Sequence, residues 1–468
     1  MTDGLFPVLW LSGPAGVGKS TVSWQLFTEL TRAGTHVAFA DTDQLCMCYP
    51  APPADPGREH LKAQNLNAML VNYQAAGARF MIVNGVVDPG RGVHRDVLSG
   101  AVLTVCRLRA DRDELARRFT ERYATGDNLE DALDGTLAEA DAMDASNCAD
   151  VTLETSGVPA AQVAALVRDT CRDWPGFGAA VTEPGGKPAC PATGAGGDGN
   201  LGAGAASGNI LLISGPTGVG KSTIGFELYL RYLRAGLTTG YIDLGQIGFI
   251  SPGRPGDPGQ HRLKARNLAA MWRNCAAAGA THLVATGRLD SEAAFRTYRE
   301  GLPAASITLC RLDAGRTELT RRIMSRRDGG SWPEPGDPLR GQSAEYLANV
   351  ADRAAAEADA LDRSRVGSVL ANALRIDTDG RSVTEAADLI AAATGFPRSL
   401  DQADPVPPVR GAAGARKVLR VLPENPADRG VHGAGKIRQR ADPYQVSSSD
   451  PAVALLGQAP LEQDTADA

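Results

Sequence analysis

The feature that most constrains the fold of this chain is a glycine-rich segment that occurs twice. Residues 13–21 read GPAGVGKST, and residues 215–223 read GPTGVGKST. Each copy follows a short apolar run and precedes an amphipathic one, which is the context in which a GxxxxGK[ST] pattern is specific. The glycines let backbone N–H groups converge on phosphate oxygens, and the helix that follows adds a positive partial charge at its N-terminus. The sequence therefore predicts two nucleoside-triphosphate sites in one chain.

Residue type assigns a role to each part of these loops. We expect Lys19 and Lys221 to reach the β and γ phosphates of ATP, and Ser20 and Ser222 to ligate Mg²⁺. ATP and Mg²⁺ are accordingly the predicted cofactors. The predicted nucleotide-binding residues are Gly13, Gly16, Gly18, Lys19, Ser20 and Thr21 in the first loop, and Gly215, Gly218, Gly220, Lys221, Ser222 and Thr223 in the second.

The repetition extends far beyond the loops. A shift of 202 positions places Lys19 on Lys221 and Asp41 on Asp243. Further matches follow in the same order, with small insertions: LKAxNL at 61–66 and 263–268, CRL at 106–108 and 310–312, and AEADAMD at 138–144 with AEADALD at 356–362. A match in one order over a domain's length indicates a tandem duplication.

Within each copy, apolar runs of strand length alternate with helical patterns. In the first copy we predict strands at 8–12, 36–41, 79–85, 101–108 and about 151–155. Such alternation is typical of an α/β fold. The predicted architecture is two tandem P-loop NTPase domains, each a parallel sheet sandwiched by helices. The predicted domains are 1–178 and 209–397, separated by a flexible Gly/Ala/Pro linker at 179–208 and followed by a mostly disordered tail at 398–468.

Composition excludes several classes of function. The 468 residues carry a net charge of −6, so nucleic acid is not an expected partner. No apolar run approaches the roughly 20 residues that cross a bilayer, and we expect no membrane partner. The eight cysteines form no zinc-binding pattern, and without a leader sequence they indicate a cytoplasmic protein. The sequence leaves the oligomeric state open.

The position of the acidic residues narrows the P-loop class. Hydrolytic P-loop ATPases usually end the third strand in an acid that serves Mg²⁺ and water, whereas Asn84 and Thr286 stand at that position here. An acid instead ends the second strand, Asp41 in the first copy and Asp243 in the second. This placement directs a carboxylate at an acceptor rather than at a hydrolytic water.

These motifs resemble the small P-loop kinases, the group of adenylylsulfate kinase, gluconate and shikimate kinase, chloramphenicol phosphotransferase and zeta-toxin-like proteins. The residues that carry the resemblance are GPAGVGKST, DTD at 41–43, RADRDELARRFTER at 109–122 and VTLETSG at 151–157. The resemblance covers both copies, but not the linker or the tail. It implies that the second-strand acid contacts the acceptor and Mg²⁺, that the charged helix supplies lid arginines, and that Thr-x-Gly lies beside the adenine.

Arginine spacing agrees with that implication. Arg118 and Arg122 stand at i and i+4, as do Arg322 and Arg326, so each pair shares one helix face and can reach a phosphate. The alternative interpretation is a solvated charged face. The candidate catalytic residues are Asp41, Asp43, Arg118, Arg122, Asp243, Arg322 and Arg326.

Two lysine–asparagine pairs follow the second-strand acid. Lys62 with Asn65, and Lys264 with Asn267, stand one helical turn apart, and we expect them to contact the acceptor. We expect Glu139, Asp141 and Asp144, and their equivalents Glu357, Asp359 and Asp362, to have a structural role.

The second copy departs from the first at the acceptor position. Gly245 replaces Asp43, and Arg288 replaces Val86. We therefore expect the first copy to be the more active one. The predicted function is a kinase that transfers the γ-phosphate of ATP to a small-molecule or nucleotide acceptor. Two alternatives stay open: an ATP-binding regulatory or scaffold protein with weak or no transferase activity, and a polynucleotide end kinase, which the acidic balance disfavours.

Overall fold

Strands and helices alternate through both halves of the chain. A computed structural model describes residues 5–45, 47–123, 129–178, 206–254, 256–257, 259–328, 339, 341–363 and 373–395, without the side chains of residues 122–123, 328 and 361–363. Residues 5–178 are called the first half below, and residues 206–395 the second half. The predicted tail and nearly all of the predicted linker lie outside the described residues, and the predicted domain boundaries stay predictions.

The first half contains six strands and six helices among its described residues. The strands are β1 (Phe6–Ser12), β2 (Val37–Asp41), β3 (Met47–Tyr49), β4 (Phe80–Asn84), β5 (Ala101–Arg109) and β6 (Val151–Glu154). The helices are α1 (Lys19–Arg32), α2 (Glu59–Ala75), α3 (Arg112–Tyr123), α4 (Leu129–Asp144), α5 (Ala160–Thr170) and the short α6 (Pro175–Gly178).

The second half repeats this order, with one extra helix and no counterpart of the short α6. Its described strands are β7 (Gly208–Ser214), β8 (Thr239–Asp243), β9 (Ile250–Ser251), β10 (His282–Thr286), β11 (Ala305–Asp313) and β12 (Leu374–Asp377). Its described helices are α7 (Lys221–Arg234), α8 (His261–Ala277), α9 (Glu292–Gly301), α10 (Arg316–Ser325), α11 (Ala344–Arg363) and α12 (Val383–Thr394).

Each half contributes five parallel strands to its own sheet. The strand orders are β6-β5-β1-β4-β2-β9 and β12-β11-β7-β10-β8-β3. The strands before the glycine-rich loops, β1 and β7, are central and buried, as continuous apolar runs in parallel sheets usually are. Because the strands run parallel, the two loops and the second-strand acids meet at the carboxyl edges of their sheets.

The two halves exchange their edge strands. β3 of the first half pairs antiparallel with β8 of the second, and β9 of the second half pairs antiparallel with β2 of the first. Both sheets are therefore mixed, and the prediction of wholly parallel sheets was incomplete. The exchange closes an otherwise unpaired edge of each sheet with a strand from the other half.

A shared apolar core joins the halves. One buried cluster runs from Val8 and Met69 of the first half to Leu212 and Met271 of the second. Phe249, next to β9, packs against Trp24 and Phe39 with ring centroids 5.1 Å and 5.7 Å apart. The exchanged strand thus carries an aromatic side chain into the core of the other half.

Four asparagines on α2 and α8 bond across the interface in two equivalent pairs. Asn72 Nδ2 donates to Asn267 Oδ1 at 2.9 Å, and Asn274 Nδ2 donates to Asn65 Oδ1 at 2.9 Å. Asn72 aligns with Asn274 and Asn65 with Asn267, so exchanging the halves converts one bond into the other, and the interface has approximate two-fold symmetry. Among the described residues, no helix is long and apolar enough to cross a membrane.

Candidate active site

The two glycine-rich loops have the same backbone geometry. Gly13 and Gly215 have φ of 142° and 148°, and a Cβ at either position would lie 2.4 Å from a carbonyl oxygen of the neighbouring strand. Gly18 and Gly220, with φ of 104° and 96°, precede α1 and α7, and neither helix has a side-chain N-cap. Uncapped N–H groups at a helix start are donors suited to an anion.

The loop lysines fold back over their own loops. Lys19 Nζ donates to the carbonyl of Pro14 at 2.9 Å, and Lys221 Nζ donates to that of Pro216 at 2.8 Å. Each ammonium thus lies over the concave side of its loop, where a phosphate would be held. Ser20, Thr21, Ser222 and Thr223 lie in the first turns of α1 and α7.

Asp41 is a buried carboxylate at the carboxyl edge of the first sheet. Its Oδ1 accepts the backbone N–H of Asp43 at 2.9 Å. In the amide orientation that satisfies both neighbours, Asn84 Nδ2 donates to Asp41 Oδ2 at 3.0 Å and Asn84 Oδ1 accepts from Ser23. Burial, followed by the nearby charge of Asp43, raises the pKa of Asp41 to about 7, although Lys19 and the hydrogen bonds lower it. A carboxylate with such a pKa can take a proton near neutral pH.

Asp43, Glu59 and Lys62 form a charged wall beside Asp41, in which the lysine is paired with the two acids. Lys62 Nζ donates to Glu59 Oε1 at 3.0 Å and lies 3.9 Å from Asp43 Oδ1. Burial lowers the pKa of Lys62, but Asp43 and Glu59 outweigh it, so that the net shift is upward. Asp43 stays exposed, with 59% of its side chain accessible, and can meet a ligand.

A shallow cleft adjoins this wall. Thr42, Glu59 and Lys62 line one side of it, and Val86 and His94 line the other. Thr42, which stands between Asp41 and Asp43 in the chain, brings the cleft next to both acids.

Asp243, the aligned acid of the second half, has different partners. Its Oδ2 accepts from Ser222 Oγ at 2.8 Å and from Thr286 Oγ1 at 3.0 Å, and its Oδ1 accepts from the N–H of Gly245 at 2.7 Å. Tyr241, where the first half has Phe39, adds a hydroxyl 3.3 Å from that of Thr286. Ser222 and Asp243 together offer two hard oxygen donors, a set that fits Mg²⁺ bound with phosphates and water.

Basic residues surround the second loop. Burial lowers the pKa of Lys221 to about 8, and the charges of Arg326 and Arg288 act in the same direction. Glu357 on α11 opposes this shift and accepts from Arg288 Nε at 2.8 Å. The structure therefore brings Arg326, a predicted lid residue, close to the loop lysine.

Arg118 and Arg322 connect the loops to the predicted adenine-side turns. Arg118 Nη1 donates to the carbonyl of Val17 at 3.2 Å, and its Nη2 donates to the carbonyl of Thr155 at 2.7 Å. Arg322 repeats both bonds, to Val219 at 3.1 Å and to Thr378 at 2.7 Å. Both guanidinium groups position the loop, and their predicted contact with a transferring phosphate stays a prediction. Arg122 lies on α3, and its side chain is outside the described residues.

Two predicted acceptor contacts are corrected by the structure. Asn65 and Asn267 are fully buried, and their amides donate to the carbonyls of Leu45 and Ile247 at 2.5 Å and 2.7 Å. They hold the segments after the acids and join the halves, so they cannot also bind a substrate. Helical spacing alone could not reveal this, because each asparagine bonds to a carbonyl 20 positions away and to an asparagine of the other half.

The acidic motif of α4 has the predicted structural role at two of its positions. Asp144 binds Arg107 at 2.6 Å and Arg109 at 3.0 Å, and Asp141 binds Arg112 at 2.8 Å. Glu139 differs, because its Oε2 is buried with no hydrogen-bond partner among the described residues. Its equivalent, Glu357, binds Arg288, and Val86 replaces that arginine in the first half.

Three residues that contribute to these sites were not predicted from the sequence. Glu59 stands three residues before Lys62, a helical spacing at which opposite charges pair, and this signal could have identified it. Ser23 and Tyr241 support the acids through contacts between separate elements, for which the sequence contains no local signal.

Comparisons with known proteins give only partial likenesses. No protein-family model matches the chain, and no curated protein matches it. Solved structures similar to part of it include a tunicamycin resistance protein from Deinococcus radiodurans, at 21% identity over 40% of this chain and 96% of that one, with a TM-score of 0.26. A gluconokinase from Sinorhizobium meliloti is 15% identical over 40% of this chain and 91% of that one, with a TM-score of 0.27. A sugar kinase from Janibacter is 14% identical over 37% and 98%, with a TM-score of 0.24. Scores this low carry no functional argument, so any functional inference depends on the site geometry.

Proposed function

We propose that this chain is an ATP-dependent phosphotransferase with two P-loop sites, and that its acceptors are small molecules or nucleotides. The observation that carries the proposal is the placement of a buried, hydrogen-bonded second-strand acid beside the loop lysine. Asp41 is near enough to Lys19 for that charge to lower its pKa. A loop that holds phosphates and a carboxylate that can take a proton are the two parts that phosphoryl transfer to a hydroxyl requires.

The residues of the first half divide the reaction as follows. The loop N–H groups and Lys19 hold the phosphates of ATP and neutralise charge on the transferring group. An acceptor hydroxyl in the cleft beside Val86 attacks the γ-phosphorus, the bond from that phosphorus to the β,γ-bridging oxygen breaks, and ADP leaves. The hydroxyl proton passes to the Asp41 carboxylate, and Asn84 keeps that carboxylate in position. Mg²⁺, which Ser20 would help to hold, supplies further neutralisation of the phosphates.

In the second half, Lys221, Ser222 and Asp243 would take the roles of Lys19, Ser20 and Asp41. Its acid accepts two hydroxyl donors and one backbone N–H, so it is more fully hydrogen-bonded than Asp41. Because these three bonds occupy the carboxylate oxygens of Asp243, fewer of its lone pairs are open to an acceptor hydroxyl than in Asp41. We therefore propose the first half as the more active transferase.

Calorimetry and radiolabel transfer test the proposal. The full chain should bind two Mg²⁺-ATP, Lys19→Ala and Lys221→Ala should each bind one, and the double variant none. Label from γ-³²P-ATP should then pass to members of a panel of sugars, nucleosides and hydroxylated antibiotics. Two bound nucleotides without transfer to any acceptor, beyond hydrolysis, would favour the regulatory alternative. No nucleotide binding would contradict both.

A further inference from the structure

The acceptor walls of the two halves differ in charge at aligned positions. In the first half, Asp41, Asp43 and Glu59 set three carboxylates against the ammonium of Lys62, and Val86 is apolar. The matching residues in the second half are Asp243, Gly245, His261, Lys264 and Arg288. At these aligned positions, three carboxylates and one ammonium in the first half are replaced by one carboxylate, one ammonium and one guanidinium in the second. The net charge of these positions therefore changes from negative to positive.

The aligned lysines have opposite surroundings. Lys62 binds Glu59 and lies close to Asp43. The ammonium of Lys264 forms no hydrogen bond or ion pair with any residue that the structure describes, although its chain packs against Gly248. At Lys264 burial lowers the pKa more than Asp243 and Asp257 raise it, whereas at Lys62 the charges of Asp43 and Glu59 outweigh burial. A partly enclosed ammonium without a partner is a group that gains from binding an anion.

Arg288 adds a second open cation to the same wall. It follows β10 directly, two residues beyond Thr286, whose hydroxyl contacts Asp243. Of its five N–H donors, only that on Nε has a described partner, Glu357 at 2.8 Å. The aligned residues of the first half, Lys62 and Val86, line one cleft together, and the charge of Arg288 lowers the pKa of both Lys221 and Lys264.

The acids near Lys264 already have partners. Asp257 accepts the N–H groups of His261 and Arg262 at 2.8 Å and 3.1 Å. Asp290 lies 3.2 Å from His261 Nε2. Asp243 accepts its three hydrogen bonds from Ser222, Thr286 and Gly245. The hydrogen-bond donors of this wall that still lack a described partner are therefore those of the cations Lys264 and Arg288.

We propose that the wall formed by Lys264 and Arg288 is a binding site for an anionic group, a phosphate, sulfate or carboxylate carried by the acceptor of the second half. The corresponding wall of the first half repels such a group and takes an uncharged or cationic hydroxyl compound. This proposal depends on the proposed function, because it assigns the acceptor class of the same sites.

Sulfate binding to the full chain tests the proposal. Mg²⁺ and ADP first fill both loops, and calorimetry then follows the titration of inorganic sulfate. We expect one sulfate per chain. Lys264→Met and Arg288→Val should each weaken it about tenfold or more, whereas Arg266→Met, which removes an exposed charge from the same helix, should not. Crystals soaked in selenate should show an anomalous peak between Lys264 and Arg288.

A converse pair of substitutions checks that the effect follows the wall. Asp43→Gly with Val86→Arg, made in a Glu59→His chain so that all three aligned positions match the second half, should bring a second sulfate. Selenate found only in the loops, or equal weakening by Lys264→Met and Arg266→Met, would overturn the proposal. If ADP does not bind, the proposed function fails by itself, and the sulfate titration proceeds on the Lys19→Ala/Lys221→Ala chain.

Discussion

The two halves build their glycine-rich loops from the same parts but surround their second-strand acids differently. Both have a lysine folded onto the loop and an arginine bonded to the carbonyls of a loop valine and a turn threonine. Asp41, by contrast, accepts from an amide and lies beside another carboxylate, whereas Asp243 accepts from two hydroxyls and has Gly245 in place of that carboxylate. The comparison teaches that the glycine-rich loops of the two halves are alike, whereas the surroundings of their second-strand acids differ.

The largest effect expected is on catalysis in the first half. Asp41→Asn keeps the shape of the side chain but removes the proton acceptor, so turnover in the first half should fall by roughly 10²–10⁴-fold. Asp243→Asn should reduce turnover in the second half less, because three hydrogen bonds already occupy the oxygens of that acid. Acceptor-dependent ADP release is the measurement, made in chains with the other loop lysine replaced by alanine. Equal losses in both halves would remove the distinction between the two acids.

Stability should depend on pH through the same carboxyl group. The folded-state pKa of Asp41 is about 7, against an ordinary value of 3.8, so between these pH values the folded chain binds more protons than the unfolded one. The free energy of unfolding should therefore fall as pH rises from about 4 to 7, by up to about 4 kcal/mol, and level off above 7.

Chemical denaturation across that range measures this dependence. Asp41→Asn should flatten the profile and stabilise the chain at pH 8, while Val71→Ala, which removes no titratable group, should leave the profile in place. The same slope in wild type and Asp41→Asn would show that Asp41 titrates at its ordinary pKa.

A smaller effect, on ATP affinity, is expected from Arg118, which connects the first glycine-rich loop to the turn at Thr155. Arg118→Lys replaces the planar fork that bonds to Val17 and Thr155 by a single ammonium, so the loop should loosen and ATP affinity in the first half should fall about tenfold. Arg117, which pairs with Glu114 and Glu121 on the exposed side of the same helix, supplies the control Arg117→Lys. Unchanged ATP affinity with a lower kcat would instead favour contact with the transferring phosphate.

The smallest effect concerns the symmetric interface. Asn72→Ala leaves the buried Oδ1 of Asn267 without its donor, which should cost about 1–3 kcal/mol of unfolding free energy. Val71→Ala, at a neighbouring side chain that is 63% exposed, should change stability by less than about 0.5 kcal/mol. Thermal or urea unfolding compares the two variants. Equal stabilities would mean that the asparagine pairs contribute nothing to holding the halves together.

Much of the fold could be predicted from the sequence because local patterns encode it. The buried runs before each loop and the helices after them are present close to their predicted positions, since apolar runs and helical periodicity are properties of short segments. The exchanged strands β3 and β9 escaped prediction, because they are three and two residues long and pair with the other half. Asn65 was misread for a related reason, since its partners are a carbonyl 20 positions away and Asn274 of the other half.

Asp41 and Asp243 were identified from their positions at strand ends, but the raised pKa of Asp41 could not be predicted from the sequence. The raised pKa of Asp41 depends on burial and on Asp43, and burial at this edge follows from how β2, β4 and α2 assemble. The difference in charge between the walls of the two halves, by contrast, was visible in the aligned sequence, where Gly245 replaces Asp43 and Arg288 replaces Val86. Only the structure showed that Lys62 is paired and that Lys264 has no partner among the described residues.

The central claim, that the halves share phosphate handling but differ in their acceptor chemistry, is tested most directly by turnover with one loop disabled at a time. Acceptor-dependent ADP release is measured at pH 8 for the Lys221→Ala chain, in which the first loop is intact, and for the Lys19→Ala chain, in which the second is intact. Matched uncharged and phosphorylated acceptors are supplied to each. We expect the Lys221→Ala chain to retain most of the turnover with uncharged acceptors, and the Lys19→Ala chain to act only on phosphorylated ones. The same acceptor preference in both chains, or faster turnover of uncharged acceptors by the Lys19→Ala chain, would contradict the account.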